Sequence, residues 1–128
     1  KYKKMAKITQ NFSLEEFNCK DGSAMPNTVL IQVIQLAKNL QALRDYLKVS
    51  ITINSAYRSP KYNAKIGGVK DSQHLLGKAS DLSVPGFTPK QVAEAIEKLI
   101  NDGKMSQGGI GIYPAFTHYD IRGKKARW

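Results

Sequence analysis

Between Pro26 and Leu47 the apolar residues Val29, Leu30, Val33, Ile34, Leu36, Ala37, Leu40, Leu43 and Leu47 recur at steps of three and four, with Gln32, Gln35, Lys38, Asn39 and Gln41 falling elsewhere. That period is a long helix with one apolar stripe, and the stripe is core. Directly after it, Val49, Ile51 and Ile53 alternate with Ser50, Thr52 and Asn54, the period of a half-buried strand. Helix and strand therefore share one core from the first half of the chain.

The remaining elements are read from their punctuation. Ser13-Leu14-Glu15-Glu16 is a capping box that opens a short helix ending near Asn18, and Lys20-Asp21-Gly22-Ser23 is a loop. From Tyr57 to Gly77 the composition shifts to Ser, Pro, Asn, Gly and Lys, a long loop with one helical turn around Tyr62 to Lys65. Loops of that length are usually functional or disordered. Lys78 to Val84 is a strand closed by Pro85-Gly86, and Thr88-Pro89-Lys90-Gln91 caps a helix through Ile100 with Val92, Ala93, Ile96 and Leu99 inward. Gly108 to Tyr113 is a strand whose small residues permit close backbone approach, paired with Thr117 to Ile121 across Pro114. The order predicts an α+β fold, helices packed on a central antiparallel sheet.

At 128 residues there is room for one domain, taken as 1–128, with 1–11 expected to be a basic N-terminal extension. One cysteine, Cys19, forms no internal disulfide and reads as a small buried hydrophobe. No apolar run is long enough to span a bilayer. No signal peptide is visible, and the chain starts at Lys1 rather than Met, so an upstream segment is expected to have been cut away. Twenty Lys and Arg against ten Asp and Glu give a formal charge of +10, enough to concentrate the protein on nucleic acid, acidic lipid or an anionic bacterial cell wall. The charge is spread, denser only at Lys1 to Lys7 and from Arg122 to Arg127, which favours adhesion over groove reading. No zinc-knuckle spacing, RNA-binding aromatic signature or basic region before heptads is visible, so no nucleic-acid partner is expected.

Two histidines exist, in Ser72-Gln73-His74 and Thr117-His118-Tyr119-Asp120. A lone histidine is usually an ordinary surface or core residue. Here Asp81 follows His74 by seven residues, and the intervening stretch can turn the chain so that the two converge. With His118 the set is two imidazoles and one carboxylate, a three-ligand zinc site of open type with a fourth position for water. Such a site lowers the pKa of its water and polarises a carbonyl, as amide hydrolysis requires. Asp120, two residues from His118 on one strand face and about 7 Å along it, is placed either to act as general base or to hold His118 from behind.

Ser55-Ala56-Tyr57-Arg58-Ser59, the run Ser72 to Asp81, Gly109 to Tyr113 and Thr117 to Gly123 together resemble the zinc D-Ala-D-Ala carboxypeptidases and related cell-wall endopeptidases, some bacteriophage endolysins included. The likeness runs from about Phe12 to Trp128. It implies the α+β fold shared with the hedgehog signalling domain, one Zn2+ on His74, Asp81 and His118, and hydrolysis of peptidoglycan stem peptides. Arg58 matches the arginine those proteins place near the scissile carbonyl, where its fork of donors binds a carboxylate or steadies an oxyanion. Several relatives carry the catalytic acid three residues before the last histidine, where this chain has Ala115. Asp120 is then the remaining carboxylate for the base. Ser72 and Gln73 are expected to bond substrate or shape their loop, Arg122 to line the cleft, and Trp128 to pack back onto the fold. Tyr57, Tyr113 and Tyr119 are read as packing around the strands.

The expectation is a monomeric zinc metallopeptidase whose partners are a peptidoglycan peptide and the anionic wall. It acts at the bacterial cell wall, and the short domain leans toward phage or prophage origin. The alternative is a non-catalytic, zinc-bearing wall-binding module.

Overall fold

The computed structural model describes residues 6–128. The first five positions of the expected basic extension lie outside them. Of the rest, Lys7 bridges to Ser13 and Ile8 packs against the core.

A 3-10 turn at Leu14–Phe17 precedes α1 (Asn27–Leu47) and β1 (Thr52–Ser55), followed by the short helix α2 (Pro60–Lys65). A second 3-10 turn, Gln73–Leu76, leads into β2 (Ala79–Ser83), then α3 (Pro89–Asn101), β3 (Gly109–Ile112), β4 (Thr117–Asp120) and β5 (Ala126–Arg127). Each start has a local cause. In α3 the Thr88 hydroxyl accepts from Gln91 N while the Gln91 side chain accepts from Thr88 N, with Pro89 at the first position. In α2 Ser59 caps Tyr62 N and Pro60 sets the first turn.

The strands form one sheet in the order β1-β2-β4-β3-β5. β1 with β2, β2 with β4 and β3 with β4 are antiparallel, as expected, but β5 joins β3 in parallel, so the sheet is mixed. The basic C-terminal run hides this strand. It is two residues long, too short to show a period, and its Arg127 is held by bidentate pairing with Glu97 of α3.

Strand alternation gives the sheet two faces. Leu82, Ile110 and Tyr119 face the core with Leu36, Leu40 and Leu43 of α1 and Ile96 and Leu99 of α3. Each such side chain, fully buried, contributes roughly 1.5–3 kcal/mol. One residue of α1 departs from its expected polar face: Asn39 is buried, its Oδ1 accepting from Tyr119 Oη and Ser106 N. A polar group survives there because every donor aimed at it is satisfied. The opposite face carries Asp81, His118 and Asp120, with Asp81 directly across the ladder from His118.

Candidate metal centre

His74 lies on the 3-10 turn before β2. Ser72 caps that turn by accepting from His74 N (3.1 Å), and Gly77 ends it at φ 76°, where a side chain would meet Val29 of α1. The turn is thereby pressed between helix and sheet, and it aims His74 at β2. His74 Nδ1 lies 2.7 Å from the Ala56 carbonyl, so that nitrogen carries the proton and Nε2 is the free lone pair, 3.3 Å from Asp81 Oδ1.

His118 is set by the same logic in mirror form. Its Nε2 lies 2.7 Å from Asp120 Oδ2, so in the neutral ring Nε2 carries the proton and Nδ1, 3.1 Å from Asp81 Oδ1, is the lone pair. The two rings meet edge to face with centroids 5.3 Å apart. All three side chains are buried, and one ligand atom from each lies within 4.8 Å of the others. A tetrahedral ion bound at about 2.0–2.1 Å holds neighbouring ligand atoms about 3.3 Å apart. The observed 3.1 and 3.3 Å separations fit that spacing, and so does the donor chemistry of two neutral imidazoles and one carboxylate.

Charge follows geometry. Burial pushes the Asp81 carboxyl upward, but the facing nitrogens of His118 and His74 donate to it when protonated and hold the group well below the usual carboxylate range. Burial likewise opposes the charged form of His118, and the carboxylates on both sides of its ring overcome that and raise its pKa.

Asp120 sits behind His118 and is fully buried. Its Oδ1 accepts from Gly109 N (2.9 Å), Arg122 N (3.1 Å) and Arg122 Nε (2.9 Å), and its Oδ2 from His118 and Arg122 Nη2 (2.8 Å). These bonds hold the carboxyl far below its ordinary range against the cost of burial. The glycine at 109 has a steric cause, since a Cβ there would collide with the Asp120 carboxylate. Gly111 faces His118 across β3 and β4, and a side chain there would strike the Trp128 indole. Trp128 packs back as expected, its ring centroid 5.0 Å from that of His118, its Nε1 donating to Tyr113 Oη (2.6 Å) and the Arg122 guanidinium over its face.

A cleft of about 370 Å³ opens over the triad. Arg58, Ser72, Gln73 and Arg122 all line it with His74, Asp81 and His118, whereas Asp120 does not. Ala115 is exposed in the turn between β3 and β4, away from this cleft. Tyr119 and Tyr57 are core residues, but Tyr113 stacks on Phe116 (centroids 4.5 Å apart) and the pair walls the cleft. Sequence reasoning missed Phe116, Asp71 on the cleft wall, and Asn63, buried beneath Arg58. Ser59-Pro60 was the available signal for Asn63: a capped helix starting at Pro60 turns that residue inward.

Two imidazoles whose outer nitrogens are tied down and whose inner ones converge on a carboxylate, beneath an open cleft, define the metal-dependent hydrolase class. The Peptidase M15 family model matches residues 10–120, most of the chain, and the protein belongs to that family: it is a metallopeptidase, with a peptide as substrate. No curated protein matches the chain. Among the described residues no helix is long and apolar enough to cross a membrane.

Proposed function

We propose that the protein hydrolyses an amide bond in peptidoglycan stem peptides with one zinc ion held by His74, Asp81 and His118. The observation that carries this reading is the convergence of His74 Nε2 and His118 Nδ1 on Asp81 Oδ1 in a cleft flanked by two arginines. When bound, zinc supplies Lewis acidity toward a substrate carbonyl and lowers the pKa of a water.

The chain's own groups supply the rest. Arg58 donates through Nε to Ser55 Oγ (3.3 Å), through Nη1 to Asn63 Oδ1 (3.2 Å) and through Nη2 to Asp81 Oδ2 (3.4 Å). One N–H on each terminal nitrogen remains for a substrate carboxylate or developing oxyanion. Arg122 and Trp128 form the facing wall, and Ser72 and Gln73 border the substrate path.

Asp120 takes the second of its two expected roles. Its oxygens already accept from His118, Gly109 and Arg122, so it orients His118 and leaves no lone pair for a water. Asp71 is the carboxylate on the cleft wall outside the triad. As the cleft carboxylate outside the triad, it is the group we assign to take the proton of the attacking water and return it to the leaving amine. The formal charge of +10 concentrates the enzyme on the anionic wall.

Incubation with purified peptidoglycan, followed by mass analysis of released peptides, tests the reading and identifies the bond. Amine release that stops on chelation and returns with zinc supports it; wall binding with no release at any zinc concentration overturns it in favour of a non-catalytic module. Asp71→Asn is expected to lower kcat at least about a hundredfold with KM little changed. Unchanged turnover removes Asp71 from the proton path.

A further inference from the structure

Asn63 is a buried polar side chain on a two-turn helix in the long loop, and it uses both ends of its amide. Its Oδ1 accepts from Arg58 Nη1 (3.2 Å) and its Nδ2 donates to the Val69 carbonyl (2.9 Å). Its backbone is pinned as well, with Asn63 N donating to Ser59 O (2.9 Å) and Asn63 O accepting from Gly68 N (2.8 Å). At Gly68 a Cβ would run into the Asn63 side chain, so the loop closes around this residue.

The bonds continue into a ring. Val69 O also accepts from Ser72 N (3.1 Å), Ser72 Oγ accepts from His74 N (3.1 Å), and His74 O accepts from Arg58 N (3.1 Å). Starting at the Arg58 guanidinium, the path runs through Asn63, Val69, Ser72 and His74 and returns to the Arg58 backbone. Asn63 is where this ring touches the guanidinium itself. Ser55 and Asp81 hold the other two nitrogens, but Asp81 is shared with two histidines, so its grip on Arg58 depends on how the triad is engaged.

We infer that Asn63 is a positioning residue: it fixes the Arg58 guanidinium relative to His74, so that the two free N–H groups of Arg58 face the cleft whatever Asp81 is bound to. The charge-neutral amide suits this task, because a carboxylate there would compete with a substrate oxyanion for the same arginine. The spectroscopic test stands independently of the peptidase reading, on which only the kinetic arm rests.

The experiment is a guanidinium 1H–15N spectrum of the zinc-loaded protein, with Arg58 signals assigned by their loss in Arg58→Lys. Separate, slowly exchanging Nη signals are expected in the wild type, with collapse to one averaged signal in Asn63→Ala. Unchanged Arg58 signals in that variant overturn the inference. Asn63→Asp covers a failure of the alanine variant to fold: it keeps an acceptor for Arg58, so the Arg58 signals must shift while staying in slow exchange, and no shift overturns the proposal. In the kinetic arm, Asn63→Ala is expected to lower kcat/KM about tenfold or more, yet by less than about twofold in an Arg58→Ala background. Equal losses in both backgrounds mark a merely structural residue and overturn the inference. No turnover in the wild type refutes the peptidase reading alone, and the spectra still decide for or against Asn63.

Discussion

The roles of individual side chains at the centre follow from which nitrogen of each histidine is tied down. His74 spends Nδ1 on a backbone carbonyl and His118 spends Nε2 on Asp120, so the two rings offer opposite atoms to the same carboxylate oxygen. Asp120→Asn keeps the size of the side chain but makes one end a donor, and the buried ring of His118 loses its fixed tautomer. Zinc affinity is expected to fall about 10–100-fold, measured by competition with a chromophoric chelator, while the fold persists. An unchanged affinity would show that the ring is held by Trp128 packing instead. The clustering of His74, Asp81 and His118 was legible in the sequence because histidine is scarce and the spacing between the first two is short. Asn63 and Asp71 were not, since polar residues are ordinary in a loop and only the closure of that loop gives Asn63 its partners and brings Asp71 to the cleft.

Helices were easier to read than short strands, for a reason visible at both ends of the chain. α1 and α3 repeat their apolar pattern over several turns, so their extents come out within a residue or so of Asn27–Leu47 and Pro89–Asn101. β5 has two residues and no period, and its position depends on Arg127 reaching Glu97 on α3, a pairing across 30 positions. That pairing has a pH signature. The hydrogen bond from Arg127 holds the Glu97 carboxyl below its usual value of 4.5, against a smaller effect of burial. The folded chain thus binds this proton less readily than the unfolded one, and the stabilisation is complete above pH 4.5 and lost as pH falls through the lower folded value. Glu97→Gln is therefore expected to unfold more easily than wild type at neutral pH, by well under 1 kcal/mol because the glutamate is more than a third exposed, with the two denaturation midpoints converging in acid. A gap that persists in acid, where the carboxyl is protonated in both states, would mean the glutamate acts by packing. Backbone strain lies at the end of α1, where Lys48 adopts φ 62°. A left-handed non-glycine residue costs about 1–2 kcal/mol, and glycine's extra freedom in the unfolded chain returns about 0.4–1 kcal/mol of that. Lys48→Gly should raise stability by up to about 1 kcal/mol, read from urea midpoints at constant slope.

At the level of the whole molecule, the candidate metal centre joins parts of the fold that otherwise touch only through the sheet and the loop before it. His74 belongs to the loop packed under α1, Asp81 to β2 and His118 to β4, so an ion held by all three cross-links segments up to 44 residues apart in sequence. In a chain of 128 residues with a single cysteine, such a link acts on global stability. On the proposed reading zinc binds the folded donors and barely the unfolded ones, so free zinc at about 1,000 times Kd is expected to add about 4 kcal/mol. For a domain of this size each kcal/mol moves Tm by about 4 °C, so stripping the ion should lower Tm by about 15 °C. The same treatment applied to His74→Ala or His118→Ala should produce almost no shift, since either variant has already lost a ligand. Scanning calorimetry with and without chelator decides the matter. A large shift in wild type but not in the variants assigns the stabilisation to this triad, whereas equal shifts in all three would place the stabilising ion elsewhere and leave His74, Asp81 and His118 as a hydrogen-bonded cluster.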